Sequence, residues 1–145
     1  VRRFPDNSSW SWSKVDVTLD RELRASVRAG DWDAVWSKAE EALQKLPNDP
    51  YLIEWQALAF FVDGDYESAA EGLRHVLTKT TGWRWEEMAK HLPSMEFYQA
   101  RLDELRAYLK SNPESSAAWF VLGYHYQTQG HADAAKTCFE RAGEA

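Results

Sequence analysis

Residues 116–142 read Ser-Ala-Ala-Trp119-Phe-Val-Leu122-Gly123-Tyr-His-Tyr126-Gln-Thr-Gln-Gly130-His131, then Ala135, Phe139 and Ala142 at spacings of three and four. Apolar residues at that interval put one face of a helix against a neighbour. Gly130 ends the first helix, and His131 is expected to cap the next one. Small residues such as Gly123 and Ala135 let two helices approach closely. The large rings of Trp119, Tyr126 and Phe139 then fill the spaces around them.

The same punctuation recurs upstream. Gly30-Asp31 and Gly64-Asp65 each close one helix and open another, with the aspartate placed as an N-cap. Gly30 and Gly64 lie 34 residues apart, and Gly64 and Gly130 lie 66 apart. The breaks at Pro47 and Pro113 are also 66 apart. Asp31-Trp32-Asp33-Ala34 matches Asp65-Tyr66-Glu67-Ser68 as an acidic cap followed by an aromatic. A period near 34 with two helices per unit is the mark of a helical repeat. Eight helices are predicted, over 18–29, 32–46, 51–63, 66–79, 84–92, 95–110, 116–129 and 132–143. Residues 1–15 are read as an irregular arm, in which Trp10 and Trp12 dock on the first helices or mark a contact with another domain or subunit. Pro93 would break a helix, so a short helix is expected before it and a long one after it.

In its order of Trp, Leu-Gly, Tyr, Ala, Phe and Ala, the last unit resembles the tetratricopeptide repeat almost position for position. Units of about 16–49, 50–81, 82–115 and 116–145 follow. The third departs most from the pattern. The resemblance implies an all-α antiparallel helix-pair solenoid, wound as a right-handed superhelix, with a concave groove lined by the first helix of each pair. It also implies a non-catalytic protein–protein interaction module. The groove positions are Tyr51, Glu54, Trp55, Leu58, Phe61 and Val62 in the second unit. In the fourth they are Phe120, Tyr124, Gln127 and Thr128, and in the first Val17, Asp20, Arg24 and Arg28. The expected ligand is a peptide or partner domain held by Trp55, Phe61, Phe120 and Tyr124. The alternative at these positions is that the third unit closes the groove and the rings pack against it. One branch of the family grips acidic chaperone C-termini with Lys, Arg and Asn. Asp20, Glu54, Leu58, Phe120 and Tyr124 replace that set here, which argues against such a ligand.

Composition sets the bounds. The 145 residues carry 17 Lys and Arg against 23 Asp and Glu, a net charge of −6 that disfavours nucleic acid as the main partner. The longest uncharged, mostly apolar stretch, 117–124, is too short for a transmembrane helix. The single cysteine, Cys138, excludes an internal disulfide and is read as a half-buried, unreactive thiol. It is compatible with the cytoplasm and assigns no compartment. His125 is read as a surface or partly packed residue, and neither a metal site nor a cofactor is expected. Glu86 and Glu87 are read as part of a solvated face. No phosphate loop, nucleophile elbow or zinc-protease motif occurs, so no catalytic residue is assigned. The start at Val1 and the end directly after an apolar helix are read as marks of a fragment. A second expectation is structural: the end of the last helix, Ala132 to Ala142, stacks on further repeats or on a second copy.

Eight Trp, six Tyr and six Phe are many for this length. The repeat pattern gives packing roles to Trp32, Trp36, Phe60, Tyr66, Trp119, Tyr126 and Phe139. It leaves Trp10, Trp12, Trp55, Phe61, Trp83, Phe120 and Tyr124 as a second set without a clear packing role, whose exposure decides whether anything binds in the groove.

Overall fold

The computed structural model describes residues 17–143, so the arm and its two tryptophans lie outside the described residues. Among these the chain is all-helical, with eight helices and no strand. They are α1 (Val17–Arg28), α2 (Trp32–Leu43), α3 (Pro50–Asp63) and α4 (Tyr66–Lys79), then α5 (Trp85–Lys90), α6 (Met95–Ser111), α7 (Ser116–Thr128) and α8 (Ala132–Arg141).

Local chemistry sets the helix ends. Asp31 Oδ1 accepts from Ala34 N–H at 3.0 Å and Asp65 Oδ1 from Ser68 N–H at 3.2 Å, satisfying a free first-turn donor in each case. Gly64 closes α3 in the left-handed conformation at φ 82°, which a side chain would disfavour. His131 departs from expectation. It occupies the N-cap position of α8 but makes no side-chain cap bond, its ring lying edge-on to Tyr126 at 6.2 Å. Pro93 acts as expected, dividing the six-residue α5 from the seventeen-residue α6. Ser94 starts α6 by accepting from Phe97 N–H at 3.0 Å.

Packing follows chain order with one departure. α1 packs on α2, α2 on α3, and α3 on α4, but α4 then packs directly on α7, passing over α5 and α6. α7 in turn packs on α8 and also touches α6. The α7–α8 approach depends on Gly123, where an added Cβ would lie 2.8 Å from Phe139 Cε1 and 3.1 Å from Cys138 Cβ. The core runs through Leu23, Val35, Leu52, Leu73, Leu102, Leu105 and Val121, all at most 2% exposed.

Two helices are covered nearly all round. α3 buries ten of its fourteen residues and α7 nine of its thirteen. A helix that is apolar on every side must have neighbours on every side. For α3 those are α2 and α4 on one side and the α5–α6 segment on the other, and this arrangement shapes the candidate site.

Candidate interaction site

Seven of the eight groove residues are buried: Tyr51, Glu54, Trp55, Leu58, Phe61, Phe120 and Tyr124. Only Gln127 is exposed. The chain's own third segment supplies much of the cover. Trp55 has no exposed surface and meets Trp83 edge-on at 5.5 Å and His91 at 4.2 Å. Tyr51 also meets Trp83, at 5.9 Å, while Phe61 lies 6.3 Å from Tyr98 of α6 and 4.2 Å from His125 of α7. The expected open aromatic groove is therefore closed at α3, and the rings there pack as the alternative reading had it.

Polar groups stitch this closure. Glu54 Oε2 accepts from the Trp83 N–H at 2.7 Å and from the Tyr124 hydroxyl in a short bond. One carboxylate of α3 thus holds the strand of chain entering α5 and the middle of α7. Gly82, at φ 77°, lets the backbone pass beside it, since a Cβ there would stand 3.3 Å from Glu54 Oε2. Burial pushes the Glu54 carboxyl up to about 7, against the lowering effect of its two donors. Burial, reinforced by Glu54, also raises the Tyr124 hydroxyl well above its ordinary range.

A second pair joins α6 to α7. The Tyr98 hydroxyl lies 2.9 Å from His125 Nδ1 and accepts from Gln129 Nε2 at 3.0 Å, which leaves its own proton for the imidazole. His125 is 1% exposed, neither at the surface nor only partly packed as expected, and burial alone drives its pKa down to about 3. It is a neutral core histidine.

The third pair lies where α1, α3 and α5 meet. The Tyr51 hydroxyl donates to Asp20 in a short bond, and Arg24 Nη2 contacts Asp20 Oδ2 at 3.1 Å. Glu87 Oε2 stands 2.9 Å from His91 Nε2 and 3.9 Å from Arg24 Nη2, so Glu87 is not the solvated residue that its pairing with Glu86 implied. The His91 contact misses hydrogen-bond alignment. Burial pushes Glu87 up, but His91, Arg24 and Lys90 outweigh it, and the net shift is downward. Burial likewise lowers His91 and keeps it neutral. Cys138 is more buried than expected, at 4% exposure, and burial raises its thiol.

Both aromatic sets pack in or against the core, so the division read from the repeat pattern does not separate packed rings from exposed ones. Of the set given packing roles, Trp32, Trp36, Phe60, Trp119, Tyr126 and Phe139 are only half-buried, while Tyr66 is buried. Of the second set, Trp55, Phe61, Trp83, Phe120 and Tyr124 are all buried.

An open cleft exists elsewhere. It lies among α4, α7 and α8, with a volume of about 590 Å³. Leu77, Phe120, Ala132, Ala135 and Phe139 form its apolar walls, and Arg74, Lys136, Glu140, Thr78 and Gln127 also border it. Phe120 and Gln127 are thus the two predicted site residues that reach this cleft. Arg74 is held 4.7 Å above the Phe120 ring and donates to Ser116 Oγ at 3.4 Å. The repeat pattern gave no sign of this cleft, because its lining comes from α4 and α8 as well as from α7. No helix among the described residues is long and apolar enough to cross a membrane. No protein-family model matches the chain, and no curated protein matches it.

Proposed function

We propose that the chain is a tetratricopeptide-like module that recognises a protein or peptide and performs no catalysis. In this reading α1–α2, α3–α4 and α7–α8 are three stacked antiparallel pairs. The order of helix packing supports it, because α4 meets α7 as the second helix of one pair meets the first helix of the next. The α5–α6 segment is then an insertion laid across the face of α1, α3 and α7, rather than a third repeat.

The recognition surface is accordingly the α4–α7–α8 cleft, and the observation that carries the reading is its size and lining. A preformed apolar cleft of about 590 Å³, bordered by a few polar side chains, falls within the range that accepts anchoring side chains of a ligand. Phe120 and Phe139, with ring centroids 5.1 Å apart, both line it. An apolar anchor from an incoming segment would cover both.

Thr78 is exposed on α4 at the border of the cleft, so Thr78→Trp fills it without disturbing the core. Peptides selected from a random display library against the intact chain should lose about tenfold or more in affinity on Thr78→Trp. The urea midpoint should stay unchanged. Selected peptides that bind both proteins equally would sink the assignment of the cleft.

A further inference from the structure

A smaller cavity of about 260 Å³ lies between α2 and α3, lined by Trp32, Asp33, Trp36, Ser37, Phe60 and Asp63, with Ala59 beneath. We infer that this is a binding site for an organic ammonium group, either a free quaternary amine or an alkylated lysine side chain.

The walls are aromatic and set at an angle. Trp36 and Phe60 meet edge-on, with centroids 6.3 Å apart and an interplanar angle of 65°. Trp32 is fixed by stacking on Phe97 at 5.9 Å and 11°, and Phe97 is backed by Arg101 at 5.0 Å. All three wall residues are only half-buried, so ring surface remains at the cavity instead of being consumed by the core. Aromatic faces carry negative potential and attract alkylammonium cations, with tryptophan the strongest of the three rings.

Charge points the same way. Asp33 and Asp63 are exposed, and neither forms an ion pair among the described residues. Asp63 ends α3, where the helix dipole already presents partial negative charge. A cation in the last turn would ordinarily offset it, but α3 has no basic residue there. No basic side chain among the described residues lines the cavity. Two carboxylates and the C-terminal end of α3 therefore border an aromatic corner that no cation among the described residues lines.

Size selects the ligand class. The cavity is smaller than the roughly 300–1,000 Å³ typical of sites for drug-sized ligands, and suits a single head group. A hydrated metal ion would have no use for the rings. A neutral apolar group would have no use for the carboxylates. An alkylated ammonium uses both.

The test is a titration of the intact chain with choline and with its neutral isostere 3,3-dimethylbutan-1-ol, following the tryptophan indole N–H resonances by NMR. Choline should shift two indole signals that disappear in Trp32→Phe and Trp36→Phe, and should bind about tenfold or more tightly than the isostere. Asp33→Asn combined with Asp63→Asn should weaken choline roughly fivefold and leave the urea midpoint unchanged, since both side chains are exposed. A short peptide carrying trimethyl-lysine separates the two sources. Binding tighter than choline assigns the site to a modified protein, and equal binding assigns it to a free amine. Equal binding of choline and the isostere overturns the inference. So does the absence of any indole shift at about 50 mM choline.

Discussion

Trp55→Ala is expected to destabilise the chain by about 3–5 kcal/mol, the cost of removing a large aromatic from a packed interior. The indole has no exposed surface and is walled by Trp83 and His91. Truncation would leave a cavity that the short α5, with only six residues, is poorly placed to refill. The imidazole of His91 would lose an aromatic neighbour while staying buried, which adds a polar group facing a void. Urea unfolding followed by circular dichroism measures the loss. Gln127→Ala is the natural control, because Gln127 is exposed and should change stability by no more than about 0.5 kcal/mol. A Trp55→Ala protein as stable as its parent would show that the α5–α6 cover is loose. It would return Trp55 to the list of residues open to a ligand.

The second large effect concerns pH, and two buried groups pull it in opposite directions. His125 is held down to about 3 in the fold, whereas an unfolded histidine takes up its proton near 6.5. Below 6.5 the unfolded chain binds a proton that the fold refuses, so stability falls as pH drops from 6.5 towards 3. The full loss is on the order of 5 kcal/mol. Glu54 has the reverse sign. Its folded pKa of about 7 lies above the ordinary 4.5, so its stabilising contribution is complete below 4.5 and is lost as pH rises to 7. That loss is on the order of 3 kcal/mol. Between 4.5 and 6.5 the slopes of Glu54 and His125 nearly cancel, and His91, also lowered by burial, leaves the parent chain's stability rising with pH. Glu54→Gln removes one slope and keeps acceptor capacity for the Trp83 amide and the Tyr124 hydroxyl. Its stability should then climb by several times the thermal energy between pH 4.5 and 6.5. Parallel profiles for the two proteins would mean that Glu54 titrates normally.

Helix positions were legible in the sequence because their signals are local. Asp31, Asp65 and Ser94 cap the helices they precede, Gly64 ends one, and Pro93 separates α5 from α6. The route of the chain was not legible. A spacing of 66 between breaks is the same whether the intervening segment stacks as a repeat or is passed over, and only the α4–α7 contact distinguishes the two. The site suffered from the same ambiguity. Apolar residues all round α3 and α7 carried the information that both sides are covered, but the repeat pattern accounts for only one side. His91 and His125 gave no sign of burial, since their partners Glu87 and Tyr98 differ in separation, at four and 27 residues. Trp32, Trp36 and Phe60 fit packing positions, which concealed their exposed surface.

The direct contact of α4 with α7 ties both ends of residues 80–115 to one seam. Should α5–α6 lift from the face it covers, it cannot diffuse away. It remains at an effective concentration of order millimolar or above, set by the length of its two connections. An outside molecule seeking Trp55 or Phe61 would face this resident competitor at every encounter. Its apparent affinity would be divided by the ratio of that concentration to the segment's own dissociation constant. The tether thus makes the buried aromatic face costly to reach and leaves outer clefts, which no such segment among the described residues covers, as the cheaper places to bind.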